Sequence, residues 1–246
     1  ISFFGSLPYY LSGATNSLVN CFFEGVSGFT TTGVSVLGDI ENLPKSIVFW
    51  RSFTHWIGGM GVLVLTLAIL PSVGAGTLQI MKAESPGPNP SKLVPKLGKT
   101  AKLLYTIYLF LTIILAILLF VFGMPVYDAI IHAFGVVATG GCTNVSNGIA
   151  DYQSIRIEII ISIFMFICGC NFNLHYQFFK GNLKAHFKDG EFRFYLGLII
   201  ISTLLIAINL YTSIFQSMME SLRYSSFQVI SILTTTGYNN SNFDKW

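Results

Sequence analysis

Thr30-Thr31-Thr32-Gly33, Val137-Ala138-Thr139-Gly140 and Thr234-Thr235-Thr236-Gly237 are three copies of one short pattern in a chain of 246 residues. Each closes an apolar segment, 18–30, 127–137 and 221–233. Segments of about 10–14 apolar residues are too short to cross a bilayer and read as core helices or re-entrant segments. The Thr-Gly step recurs roughly every 100 residues, the kind of spacing that marks an internal repeat. A longer apolar stretch precedes the second and third copies and follows the first and second. The repeating unit is therefore a membrane helix, a half helix, a Thr/Gly turn and a membrane helix.

Four stretches have the length of about 20 mainly apolar residues that a bilayer span requires: 47–70, 103–122, 157–176 and 194–215. Composition agrees. The chain is 52% hydrophobic and only 10% charged, against about 25% charged in a soluble domain, so lipid rather than water covers much of its surface. A net charge of +3 is too small to point to nucleic acid. What matters is where the charge falls. Lys82, Lys92, Lys96, Lys99 and Lys102 crowd one connection, and Lys180, Lys184, Lys188 and Arg193 crowd another. Short basic loops stay in the cytoplasm. With these two inside, alternating crossings put all three Thr/Gly turns on the outer side. The connection 71–102 also holds Pro71, Pro86, Pro88, Pro90 and Pro95, which disfavour helix.

Irregular backbone at membrane depth survives only when buried in protein or lining a watery cavity. Three copies of it imply one shared cavity. Glycine permits dihedrals that aim carbonyls in one direction, and a ring of carbonyls replaces the hydration shell of a cation. Each half helix adds the negative end of its dipole, and each threonine a hydroxyl. The second unit has Ala138 where the first has Thr31 and the third has Thr235. No acidic residue lies in the turns. Glu24 precedes the first, and its counterparts by spacing are Ile131 and Gln228. A carbonyl filter without a carboxylate ring suits a large monovalent cation better than calcium.

Catalysis has little support. His55, His132 and His175 fall in different places, with no paired ligands such as H-x-x-x-H and no nucleophile beside a base. Cys21, Cys142, Cys168 and Cys170 read as packing thiols. Arg51 opens the first long helix and is expected to anchor at the interface by snorkelling. His132 reads as a satisfied buried histidine, and His175 as structural. Gly58, Gly59 and Gly61 allow close helix approach.

These motifs resemble the membrane subunit of Trk/Ktr-type potassium uptake systems. The resemblance rests on Gly28-Phe29-Thr30-Thr31-Thr32-Gly33, the run from Phe49 to Gly61, Ala138-Thr139-Gly140-Gly141, Cys170-Asn171-Phe172-Asn173-Leu174-His175-Tyr176 and Ile232-Leu233-Thr234-Thr235-Thr236-Gly237-Tyr238, and it covers essentially the whole chain. It implies an all-α membrane protein of repeated membrane helix–pore half helix–filter loop–membrane helix units around a pseudo-fourfold pore, with a fourth unit absent here. It implies one filter glycine per unit, at Gly33, Gly140 and Gly237. The carbonyls of Thr31, Thr32, Ala138, Thr139, Thr235 and Thr236 would face K+, and no organic cofactor is implied. Gly33, where sodium-passing relatives carry serine, favours potassium over a less selective Na+/K+ pathway. The resemblance also implies a homodimer in the bacterial inner membrane and a cytoplasmic nucleotide-binding regulatory subunit of the TrkA/KtrA type. The expected division is a first unit at 1–76 without its leading helix, a linker at 77–102, a second unit at 103–180, a linker at 181–193, and a third unit at 194–246 without its closing helix.

Overall fold

Leu18–Phe29, Val126–Val137 and Met218–Leu233 are the three half helices, and each leads into its Thr/Gly turn. They lie in a computed structural model that describes residues 1–38, 40–61, 97–179, 189–242 and 246. The described residues hold nine α-helices and no strand. In chain order these are α1 (Ser2–Leu11), α2 (Leu18–Phe29), α3 (Lys45–Gly59), α4 (Leu97–Val121), α5 (Val126–Val137), α6 (Ile155–Cys168), α7 (Phe172–Phe179), α8 (Gly190–Ser213) and α9 (Met218–Leu233). A 3-10 helix, Gly148–Tyr152, precedes α6. Residues 62–70 of the first expected span, and most of both basic connections, lie outside the described residues.

The helices start where local chemistry allows. Pro44 and Pro125 stand at the N-caps of α3 and α5. Ser17, Ser154 and Asp189 accept from backbone N–H groups in the first turns of α2, α6 and α8, which satisfies donors that have no intrahelical partner. The repeat is visible in the packing. α1 lies against α2 as α4 lies against α5 and α8 against α9. The first unit, expected without a leading helix, therefore has ten residues of helix in that position.

Two helices, α4 over Ala101–Val121 and α8, are long and apolar enough to cross a membrane. Their outer faces are apolar and unpacked: Ile113, Ile117 and Phe120 on α4, and Ile201, Leu205 and Ile208 on α8, are each about half exposed or more. Such a patch on a water-soluble surface would be an aggregation hazard; in lipid it is at home. α5 rises about 18 Å over its 12 residues, a little over half of a hydrocarbon core of about 30 Å.

The expected span 157–176 is not one helix. α6 stops at Cys168, Gly169 caps it, and α7 begins at Phe172. The break falls at Gly169-Cys170-Asn171, within a stretch whose overall hydropathy is high enough to read as one span. Side chains take up the carbonyls left at the end of α6. His175 Nε2 meets Ile167 O at 2.9 Å, and Tyr195 donates to Phe166 O at 3.4 Å. α3 likewise stops at Gly59, and Tyr108 donates to Trp56 O at 2.8 Å.

Candidate selectivity filter

Each half helix ends on a residue that accepts the helix but not its continuation: Thr30, Ala138 and Thr234. The next residue turns left-handed, with φ of 54° at Thr31, 51° at Thr139 and 58° at Thr235. Two residues on, the backbone is left-handed again, at Gly33 (78°), Gly141 (63°) and Gly237 (82°). A β-branched residue at positive φ is a true outlier, and such strain costs of order 1–3 kcal/mol and gathers at functional sites. Finding it three times at one position identifies the three turns as one built feature.

These angles correct the register of the second turn. Gly141, not Gly140, matches Gly33 and Gly237. Gly140 matches Thr32 and Thr236, and Ala138 matches the caps Thr30 and Thr234 rather than Thr31 and Thr235. Two glycines stand side by side in the second unit, and only the left-handed dihedral tells which one makes the turn. The same shift changes the counterparts of Glu24. They are His132 and Gln228, not Ile131 and Gln228, and all three are buried polar residues.

The turns interlock from one unit to the next. A Cβ on Gly33 would fall 2.5 Å from the Gly140 carbonyl oxygen, and one on Gly141 would collide with the carbonyl oxygen of Thr236. Gly33 and Gly141 thus each abut a carbonyl of the next unit, and both times that carbonyl comes from the equivalent residue, while Gly237 has open space beside it. Thr32 N donates to Ser27 O at 3.0 Å and Gly140 N to Gly135 O at 2.9 Å, so the chain is tied back to its half helix at equivalent places. In the first and third units, paired hydroxyls brace the turn: Thr30 with Thr32 at 2.7 Å, and Thr234 with Thr236 at 2.8 Å.

In the first and third units the chain beyond the turn glycine is held from the half helix. Ser27 Oγ donates to Val34 O and Ser231 Oγ to Tyr238 O, both at 2.6 Å. Glu24 goes further: its Oε1 accepts from Ser35 Oγ at 2.7 Å and from Val36 N at 2.6 Å. Arg51 is buried, not snorkelling, with Nε 3.6 Å from Glu24 Oε2. His55 stands against the second turn. Its ring would meet a Cβ on Gly140, and Cys142 Sγ lies 3.2 Å from Nδ1. His132 sits under Tyr238, rings 5.6 Å apart and stacked, with Tyr152 edge-on at 5.3 Å. The Tyr152 phenol is pushed well above its usual range by burial and by the Asp128 carboxylate that it donates to, so it stays a donor. The four cysteines are buried and free.

Sequence reasoning missed Gly141, Ser27, Ser231 and Tyr238. The signal existed: Ser27 and Ser231 both stand six residues before the glycines of their turns, Gly33 and Gly237. It becomes visible only once the second unit is aligned on Gly141, where the same offset lands on Gly135.

Comparison with known proteins agrees with this geometry. The model of the TrkH family, described as cation transport protein, matches residues 1–246. The chain is 39% identical to the Trk system potassium uptake protein TrkH of Salmonella typhimurium, over 98% of this chain and 51% of that protein. It is 32% identical to the Trk system potassium uptake protein TrkG of Escherichia coli K12, over 100% of this chain and 51% of that protein. The crystal structure of the potassium transporter TrkH from Vibrio parahaemolyticus superposes with a TM-score of 0.84 at 34% identity, covering 100% of this chain and 50% of that one. The chain thus spans about half the length of the relatives it matches. With a family model matched from end to end and the same fold in a solved relative, this chain belongs to the TrkH family of cation transport proteins.

Proposed function

We propose that this chain forms part of a potassium-selective pathway, as the membrane subunit of a Trk/Ktr-type uptake system in a bacterial inner membrane. Thr31, Thr32, Gly33, Thr139, Gly140, Gly141, Thr235, Thr236 and Gly237 line its filter, and K+ is the cargo rather than a resident cofactor. The observation that carries this reading is the interlocking of the turns: the glycine of one unit rests on the carbonyl of the next, at a repeated position. Packing alone gives no reason for three strained threonines at one place in the repeat. A carbonyl ring at the dipole ends of half helices supplies oxygens that substitute for hydration water.

The units at 1–76, 103–180 and 194–246 stand around the pathway, and the relatives' length leaves room for a fourth. Lys-rich segments at 77–102 and 177–193 face the cytoplasm and offer a surface to a nucleotide-binding regulatory subunit. The complete protein works as a homodimer.

The test is rubidium uptake by the full-length protein in liposomes against a potassium gradient, with and without Gly33→Ser. A Cβ at Gly33 presses on the Gly140 carbonyl. Strong uptake is expected, blocked by excess K+, with the preference for K+ over Na+ lost in the variant. Gly141→Ala should behave alike, because its Cβ meets the Thr236 carbonyl. A folded Gly33→Ser protein with unchanged selectivity would remove the filter assignment.

A further inference from the structure

The second filter lacks the serine that clamps the other two. Ser27 and Ser231 each hold the carbonyl of the residue just past their filter glycine, at 2.6 Å. The equivalent of these serines in the second unit is Gly135, which has no hydroxyl to give. The corresponding carbonyl, Cys142 O, is nevertheless bonded: Tyr238, from the third unit, donates its phenol to it at 2.7 Å. The two facts fit in space. A Cβ on Gly135 would run into Tyr238 Oη, so the phenol occupies the volume that a serine side chain would take. Tyr238 is buried, and its ring is fixed by stacking on His132.

We propose that Tyr238 is the positioning residue of the second filter strand, a hydroxyl supplied by the neighbouring unit in place of a missing serine. The consequence is coupling. The carbonyl of Tyr238 itself is held by Ser231 of its own unit, while its side chain holds the strand of the unit before it. One residue thereby ties the second and third strands together, so neither shifts without the other. A filter that discriminates by the placement of oxygens depends on such ties for its geometry. Cys142, one unit earlier at the same position, also points back, to His55 of the first unit, but as a weak sulfur contact rather than a clamp. This inference rests on the filter reading.

The experiment is a double-mutant cycle in the full-length protein in liposomes, comparing wild type, Tyr238→Phe, Gly135→Ser and Gly135→Ser/Tyr238→Phe. Rubidium uptake is measured in competition with K+ and with Na+. Losing one buried hydrogen bond, Tyr238→Phe should lower K+ over Na+ preference about fivefold or more. Gly135→Ser alone should damage selectivity too, because its Cβ collides with the phenol. The double variant, with its serine placed like Ser27 and Ser231 and the phenol gone, should return to within about twofold of wild type. Size-exclusion profiles and thermal unfolding of the four proteins in detergent separate misfolding from misplacement, and the unfolding temperatures should show the same rescue. A folded Tyr238→Phe with wild-type selectivity overturns the proposal, as does a double variant no better than Tyr238→Phe. If wild type itself shows no K+-selective flux, the filter reading fails instead, a result plainly different from selective wild type with a silent Tyr238→Phe.

Discussion

Glu24 shows how a single buried charge supports a turn that contains no charge. Its carboxylate spans two tasks, holding Ser35 and Val36 with one oxygen and facing Arg51 with the other. Both partners of the ion pair are buried. Removing one side of a buried pair leaves the other charge uncompensated, at a cost of about 3–5 kcal/mol. Glu24→Ala should therefore unfold at a clearly lower temperature in detergent, while Glu24→Gln, which keeps an oxygen for Ser35 and Val36, should lose less. Equal loss in both variants would mean that the ion pair, not the hydrogen bonding, carries the stability. The counterparts His132 and Gln228 do different work at the same place. His132 uses its ring as a platform for Tyr238 and bonds Asp128 O through Nδ1 at 2.8 Å. In the third unit the nearby chain is held by Asn240, which donates to Glu158 Oε2 at 3.1 Å, and Glu158 in turn is paired bidentately with Arg223.

At the scale of elements, the units are joined by the same device twice. Gly59, at the end of α3, would set a Cβ 2.7 Å from Ala138 Cα and 2.6 Å from Tyr108 Oη. Gly169, at the end of α6, would set one 2.6 Å from Thr234 Cγ2 and 2.7 Å from Tyr195 Oη. In both cases a glycine lets the closing helix of one unit touch the cap of the next half helix, while a tyrosine from the next leading helix bonds its last turn. Small residues serve close helix approach in membrane bundles in this way. Gly59→Val should hold α3 off the second half helix. Overpacking of a tight contact costs about 1–3 kcal/mol, read as a fall in the unfolding temperature with a parallel loss of rubidium uptake. Gly197, with open space around it, is the control position and should tolerate alanine.

At the scale of the whole molecule, several charged and polar side chains are buried beside the turns while apolar side chains line the outer faces of the long helices. Glu24, Arg51, His55, His132 and Glu158 are buried, while Ile201 on α8 is 61% exposed. That inversion is the arrangement a lipid solvent demands, because buried polar groups can find partners and hydrocarbon offers none. Ile201 stands near the middle of α8, so Ile201→Arg should cost about 2.5–3.5 kcal/mol of insertion. The expected readout is a marked drop in membrane-integrated protein in a glycosylation-mapping or fractionation assay, with Ile201→Leu unaffected. Normal integration of the arginine variant would argue that this face is covered by protein rather than lipid.

Apolar run lengths and the thrice-repeated Thr/Gly step were enough, as sequence, to establish an all-helical chain built of repeated units with half helices, because those features are set by local composition and by the thickness of a bilayer. The position of each half helix could be read to within a few residues for the same reason. Tertiary structure alone decided the rest. Between Gly140 and Gly141 the choice turned on a dihedral that two adjacent glycines leave open. The break between α6 and α7, at Gly169-Cys170-Asn171, lies inside a stretch long and apolar enough to read as one span, and His175 and Tyr195 bond the carbonyls at the end of α6 across it. Arg51 looked like an interface anchor until Glu24, distant in sequence, was seen beside it. Tyr238 had no visible role, because its partner carbonyl lies 96 residues away and the space it fills is defined by what Gly135 lacks.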